Sequence, residues 1–341
     1  MPLKTTIGVE RALRWLSLFA LVALVVYLLV AQPVDMAQLW QTLKNLPASL
    51  WPALMALTLL CYAIRFARWQ GFVAVLGTRV PWGHHVFVYM AGFVSALTVG
   101  KAGEAIRAVY LRPFGLGYLD CMGVCFVDRL LDLVGVALLA GLAFGMLGPK
   151  APWAWSALGL CLLVVLLFRS RVLVYLASRL PIRRLSGLAS EGLRTTARLL
   201  TGFSLVRGVG LSVLAWTVQG LCLHVTLLAM GHALIWYEVV GIYAVSLLAG
   251  AATFMPGGFG ASEAAITWLL SMKGVPSSQA LAAALVGRGI PQWLGLAMAA
   301  LAMGKLSLAS EISAQPQIAD APTEAASDGV NSGAADPVRR H

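Results

Sequence analysis

Residues 15–31, WLSLFALVALVVYLLVA, contain no charged side chain. Runs of comparable length and apolarity recur near 50–68, 120–147, 151–168, 206–230 and 277–304. A helix needs about 20 mostly apolar residues to cross a bilayer, so these runs fix the solvent before they fix the fold. With 60% hydrophobic and 11% charged residues in 341, a soluble core has no room for this much apolar surface. Alternating segments of about 10 residues, the mark of a transmembrane barrel, are absent from the sequence. The expectation is an all-α polytopic membrane protein.

Charge then orients the spans. The net charge of +11 reads as basic cytoplasmic loops, not as a nucleic-acid surface. Arg65, Arg68 and Arg79 are taken to follow the second span on the cytoplasmic side. The stretch 169–207 carries eight arginines against the single acid Glu191, and is expected in the cytoplasm with a helix lying on the inner leaflet. Leu185, Leu188, Leu193, Leu199 and Leu200 would form that helix's apolar stripe. The first run follows Lys4, Arg11 and Arg14 without a cleavage site, which predicts an uncleaved helix with its N-terminus inside. Residues 1–14 and 306–341 are read as a cytoplasmic N-terminus and a disordered cytoplasmic tail, around a membrane domain of 15–305.

Two apolar stretches, 86–111 and 238–273, are interrupted. The first leaves and regains the cytoplasm in fewer residues than two crossings need, which favours a re-entrant hairpin with its tip at VGKAGEAIR, residues 99–107. A single tilted span is the alternative. The second starts and finishes outside and turns near Pro256-Gly257-Gly258. The predicted architecture is therefore about six full transmembrane helices plus two re-entrant helical hairpins.

The two tips are alike. AGEA at 102–105 aligns with ASEA at 261–264, and 25 residues separate Glu104 from Arg129 and Glu263 from Arg288. Each unit reads span, broken hairpin, span, over about 50–147 and about 206–304. The charge argument gives them opposite orientations. Inverted repeats of broken helices around a midplane site are the sequence pointer to a transporter.

The chemistry of the tips points to a negatively charged guest. A helix that starts inside a membrane presents free N–H groups and the positive end of its dipole. Lys101 and Arg107 flank the first tip; Gly103, Gly257, Gly258 and Gly260 allow close backbone approach. Glu104 and Glu263 admit two accounts, a dipole-favoured residue of a first helical turn or a counter-ion or proton-coupling group. Arg129 and Arg288 lie well inside spans, where an arginine is costly and needs a partner. Asp128 adjoins Arg129, and Asp132 shares its helix face at i+3. The partner of Arg288 must be remote: Glu104, Glu263 or an anionic ligand. Gly289 and Pro291 predict a kink just beyond it. Cys61, Cys121, Cys125, Cys161 and Cys222, with His84, His85, His224 and His232, read as core or interfacial side chains, and no metal or cofactor is expected.

GKAGEAIRAVYLR, then VDRLLDL and PGGFGASEAA, resemble the lysylphosphatidylglycerol synthase transmembrane region, a flippase-like membrane family. The resemblance spans roughly residues 10–305. It implies site roles for Gly103, Glu104, Arg107, Asp128, Arg129, Pro256, Gly257, Gly258, Gly260 and Glu263, and a partnership with membrane lipids and with enzymes of envelope-lipid synthesis. The roughly 36 residues beyond it leave no room for an aminoacyl-transfer domain, so lysyl transfer is not expected. The expected function is translocation of an anionic or phosphate-linked lipid across a bacterial cytoplasmic membrane. A non-transporting scaffold and a membrane-embedded transferase are the alternatives.

Overall fold

The computed structural model describes residues 35–93, 105–146, 152–170, 173, 175, 178, 179, 183–253, 258 and 260–314. Among these residues every element is helical. The order is α1 (Met36–Lys44), α2 (Leu50–Val75), α3 (Trp82–Ala91), α4 (Ala105–Leu111), α5 (Tyr118–Met146), α6 (Pro152–Arg169), α7 (Arg183–Leu199), α8 (Gly202–Ala229), α9 (Trp236–Ala252), α10 (Ala261–Ser271) and α11 (Ser277–Ala314).

Local chemistry sets the helix ends. Asp35 caps α1, its carboxylate accepting from Ala37 N at 2.9 Å and Gln38 N at 3.2 Å. Four helices of the two repeat units end on a glycine of positive φ: Gly77 at 84°, Gly115 at 88°, Gly231 at 87° and Gly274 at 84°. Only glycine takes that conformation without a Cβ penalty, and it lets the chain turn back over the last carbonyls. Leu116 N and Val275 N then return to the carbonyls of Leu111 and Leu270, and both side chains are buried.

These four glycines also fix the register of an internal repeat. Gly77 and Gly231 are 154 residues apart, as are the starts of α3 and α9; Gly115 and Gly274 are 159 apart, as are the starts of α5 and α11. The five extra residues of unit B fall between the start of α9 and Gly274. Unit A is thus α2–α5 and unit B is α8–α11, each in the order long, short, short, long.

Packing repeats the relation. α2 packs on α8; α3 packs on α11 as α9 packs on α5; α5 packs on α8 as α11 packs on α2. The two first helices run in opposite directions. Leu50 and Leu54 cluster with Cys222, Val225 and Ala229; Cys61 packs with Ala215 and Val218; and Phe72 reaches Gly208. By contrast α5 runs alongside α8 in the same sense, with Leu131 at Gly208, Gly135 at Ser212 and Leu139 near Trp216. The expected inversion of the repeats is therefore present in the helix directions. α6 and α7 connect the units.

Among the described residues two helices, α2 and α8, are long and apolar enough to cross a membrane. α6 keeps Leu160, Leu162, Leu163, Leu166 and Leu167 exposed, a face suited to hydrocarbon.

Several expectations change. α2 does not end at 68 but continues to Val75, where the Leu76-Gly77 turn stops it, so Arg65 and Arg68 lie inside the helix and not in a loop. Arg207, assigned to the basic loop, lies within α8 and donates to Ala67 O at 3.1 Å. In α7 the stripe is partly turned inward: Leu199 and Leu200 join the main core, and Thr195 Oγ1 donates to Asp120 Oδ1 at 2.6 Å. That end of the helix serves the bundle. α11 runs to Ala314, past the expected start of the tail, because Leu306 is still buried against the first core cluster. The short α1 had no sequence expectation; Gln38 accepts from Ser278 at 3.0 Å and ties it to α11. The first apolar run, 15–31, and the tail beyond 314 lie outside the described residues.

Candidate functional site

Arg65 and Arg68 are three residues apart on α2, so both face α5, where Asp128 and Asp132 are four apart. The antiparallel crossing matches them in order. Arg65 Nη2 lies 2.9 Å from Asp132 Oδ2; Arg68 reaches Asp128 Oδ1 through Nε at 2.9 Å and through Nη2 at 2.6 Å. Arg68 Nη1 also lies 2.8 Å from Asp132 Oδ1, so this one guanidinium bridges both carboxylates.

Arg129 closes the lattice from the same helix as the aspartates. Its Nη2 is 2.6 Å from Asp128 Oδ2 and its Nη1 is 3.3 Å from Asp132 Oδ2. The i+3 pairing expected from the sequence is present. α8 completes the surround: Trp216 Nε1 donates to Asp132 Oδ1 at 3.0 Å, and Arg65 stacks 4.4 Å above the Trp216 ring. Asp128 is fully buried and Arg68 nearly so, whereas the Arg129 side chain keeps 27% exposure. Three guanidinium groups thus share two carboxylates, with the most exposed cation at the edge.

The second cluster joins α10 to α11. Arg288 Nη1 pairs with Glu263 Oε1, and both residues are buried. Glu263 Oε2 accepts from Gly260 N at 2.6 Å, which is the carboxylate half of a capping box at the start of α10. Of the partners weighed for Arg288, Glu263 is one the fold supplies. The first-turn account and the counter-ion account of Glu263 therefore hold together, one oxygen for each. Gly258 and Gly260 both take positive φ, 64° and 81°, and Gly258 lies against Gly250 of α9. Just beyond Arg288, Pro291 stays within α11 and its carbonyl accepts from Tyr62 Oη at 2.6 Å.

Arg107 is 1% exposed, between α3 and α4, against the rings of Trp69 and Tyr89. Lys101, Gly103, Glu104, Pro256 and Gly257 lie outside the described residues.

The repeat register shows which of these charges the fold needs. Arg68 and Asp128 of unit A correspond to Cys222 and Gly287 of unit B. There a Cβ on Gly287 would fall 2.8 Å from Leu223 Cα, so a close backbone crossing replaces the ion pair. Arg65 and Asp132 correspond to Gln219 and Pro291. Trp69, His85 and Arg107 correspond to Leu223, Val239 and Ile266, all members of one apolar cluster. Only Arg129 and Arg288, with Tyr89 and Tyr243, carry the same residue in both units at the described site positions. At Arg68, Asp128, Asp132 and Arg107, unit B folds the same helices with an uncharged residue where unit A buries charge.

A profile of the lysylphosphatidylglycerol synthase transmembrane region matches residues 15–299. The chain belongs to that family. The match reaches across both repeat units and the helices between them. A UPF0104 membrane protein of Methanothermobacter thermautotrophicus is 33% identical over 91 residues, 27% of each chain. An uncharacterised protein of Synechocystis is 35% identical over 100 residues, 29% of this chain and 30% of its own. The chain thus matches under a third of the length of these relatives. Family membership makes this a membrane protein connected with lipid processes.

Sequence reasoning missed Arg65 and Arg68 as site residues because it ended their helix at Arg68. The signal was there: no turn residue occurs between Arg65 and Gly77 other than Gly71, and the apolar spacing continues through Phe72, Val73 and Val75. Trp216 and Tyr62 gave no such signal. Their roles depend on which helices cross.

Proposed function

We propose that this protein is a flippase-like transporter that carries an anionic or phosphate-linked lipid headgroup across the cytoplasmic membrane, using the charged centre of unit A. The observation that carries this reading is the asymmetry of the repeat. Positions equivalent to Arg65, Arg68, Asp128 and Asp132 hold Gln219, Cys222, Gly287 and Pro291 in unit B, so these four charges are not a requirement of the helix packing, and only Arg129 has a charged counterpart, Arg288. Buried ion pairs are weak contributors to stability relative to apolar residues of the same shape, which makes a functional reason for keeping them the better account. In a membrane such groups mark substrate and ion paths.

In this reading the oppositely directed units present their broken helices from the two membrane faces, as full spans and re-entrant hairpins. An anionic guest is drawn to Arg129, the most exposed cation of the centre. The termini are cytoplasmic, the membrane lipids are the partners, and no covalent step is involved.

The test is translocation of fluorescent anionic and zwitterionic lipids in proteoliposomes of defined sidedness. Arg129→Ala and Asp128→Asn should abolish the anion-selective rate while leaving the protein folded. Rates equal to wild type would remove the site. A scaffold role is favoured by the mutual pairing of the lattice; it predicts that these variants lose stability and that no lipid moves even with wild type.

A further inference from the structure

We propose that Arg107, seated on the Trp69 and Tyr89 rings, is a receptor for a phosphate oxyanion, at a position distinct from the Arg129 lattice. The inference deepens the transport reading, and rests on it only for the expectation that the oxyanion belongs to a lipid.

Arginine stays charged in a protein and carries five N–H donors. Arg107 is 1% exposed. Its Nη2 donates to Tyr89 O at 3.0 Å, while Nε and Nη1 are buried without an acceptor among the described residues. No carboxylate pairs with it among the described residues. What faces it instead is π-density: the guanidinium carbon lies 4.6 Å from the Trp69 ring centre and 4.5 Å from that of Tyr89. Such stacking offsets part of the desolvation of a cation, but it leaves N–H groups unsatisfied. A buried charge without an anionic partner is costly, and the cost is removed when an anion brings the missing acceptors.

The surroundings are shaped for this arrangement. Trp69 Nε1 donates to His85 Nε2 at 2.9 Å, which fixes the indole plane under the guanidinium. A Cβ on Gly92 would fall 2.0 Å from Arg107 Nε, so a glycine at that point of the chain leaves the room that the side chain fills. Unit B shows that none of it is needed for packing: Ile266 replaces Arg107, Leu223 replaces Trp69 and Val239 replaces His85, and the three join one apolar core.

A planar cation held flat on aromatic rings, with N–H donors unused, suits an oxyanion such as a phosphate diester or a free phosphate. At 1% exposure the donors are not open to water, so binding requires α4 to shift relative to α3.

The experiment uses the full chain in nanodiscs of phosphatidylcholine. Thermal midpoints are recorded with increasing phosphatidylglycerol in one arm and with inorganic phosphate in the other. Hydrogen exchange of α4 is followed in parallel. The variant is Arg107→Ile, the residue unit B uses, with Arg107→Lys as a second that keeps the charge. Wild type should be stabilised by phosphatidylglycerol, with a change in α4 exchange. Arg107→Ile should fold with an unchanged or higher midpoint and bind about 10-fold more weakly or worse, the loss expected for a charge-assisted hydrogen bond. A shift with phosphatidylglycerol alone assigns a lipid headgroup; a shift in both arms that Arg107→Ile abolishes assigns any phosphate oxyanion. No shift in wild type, or equal shifts in wild type and Arg107→Ile, overturns the proposal. Anion binding at Arg107 without lipid translocation would leave this inference standing and sink the transport reading; translocation with no Arg107-dependent binding would do the reverse.

Discussion

Glu263 divides its carboxylate between Gly260 and Arg288: one oxygen accepts the amide that opens α10, and the other holds the guanidinium of α11. A single side chain thereby fixes the start of a short helix against the middle of a long one. Because the pair is buried, its members are not equivalent to removable surface charges. Taking away Arg288 leaves the Glu263 carboxylate without its guanidinium in a low-dielectric interior. Arg288→Ala should therefore cost about 3–5 kcal/mol, read as a lowered thermal midpoint in detergent. Arg288→Met with Glu263→Gln should recover more than half of that loss. An additive double variant would show that the two residues do not depend on each other.

The lattice of unit A makes a sharper separation of stability from function. Arg68→Ala removes from the fully buried Asp128 one of the two guanidinium groups that hold it at 2.6 Å and leaves it Arg129. Its unfolding free energy should fall by about 3–5 kcal/mol. Arg68→Met with Asp128→Leu should recover most of that loss, since it removes both members of the pair together. Lipid translocation should be absent from both variants. A double variant that is stable and fully active would show that the lattice is not used.

Tyr62 and Pro291 couple α2 to the middle of α11, which continues as one helix through the proline. Proline has no N–H, so the helical bond it would make to the Gly287 carbonyl is missing, and next to this point Tyr62 Oη donates to the Pro291 carbonyl at 2.6 Å. Tyr62→Phe should cost about 1 kcal/mol, the usual value of one such bond. Gly295→Ala places a Cβ 2.5 Å from the same hydroxyl, and should cost about 1–3 kcal/mol as an overpacked contact. Combining them should be less harmful than the sum, because Phe vacates the space. Strict additivity in thermal unfolding would argue that the hydroxyl is not at Gly295.

Gly287 and Gly210 give a matched pair on neighbouring helices. A Cβ at Gly287 would meet Leu223 backbone at 2.8 Å, whereas a Cβ at Gly210 meets nothing within 4 Å. Backbone cannot rotate aside, so Gly287→Ala must separate α11 from α8 and should lower stability by about 2 kcal/mol or more. Gly210→Ala should be neutral or stabilising by up to about 1 kcal/mol, the helix propensity gain alone. Similar effects at both positions would contradict the close crossing.

The repeat is legible in the sequence because helix punctuation is local. Proline, glycine and the AGEA and ASEA tips mark where helices break, and their spacing survives in the 154- and 159-residue registers. Apolar runs likewise locate α2, α5, α6, α8 and α11 to within a turn or so at most ends. The exceptions are the C-terminal ends of α2 and α11, which run on by 7 and 10 residues from 68 and 304; Trp69, Phe72 and Val73 keep the extension of α2 buried, and Leu306 anchors that of α11.

By itself the sequence determined the solvent, the helical class, the pairing of two units and the presence of buried arginines, since each follows from composition and short-range spacing. Only the tertiary structure decided which charges meet. Arg68 finds Asp128 across 60 residues and Glu263 finds Arg288 across 25, because helix direction and crossing point, not sequence distance, bring side chains within a few ångströms. The same geometry separates two units that share one helix order: where unit A buries a cation, unit B lets two backbones touch.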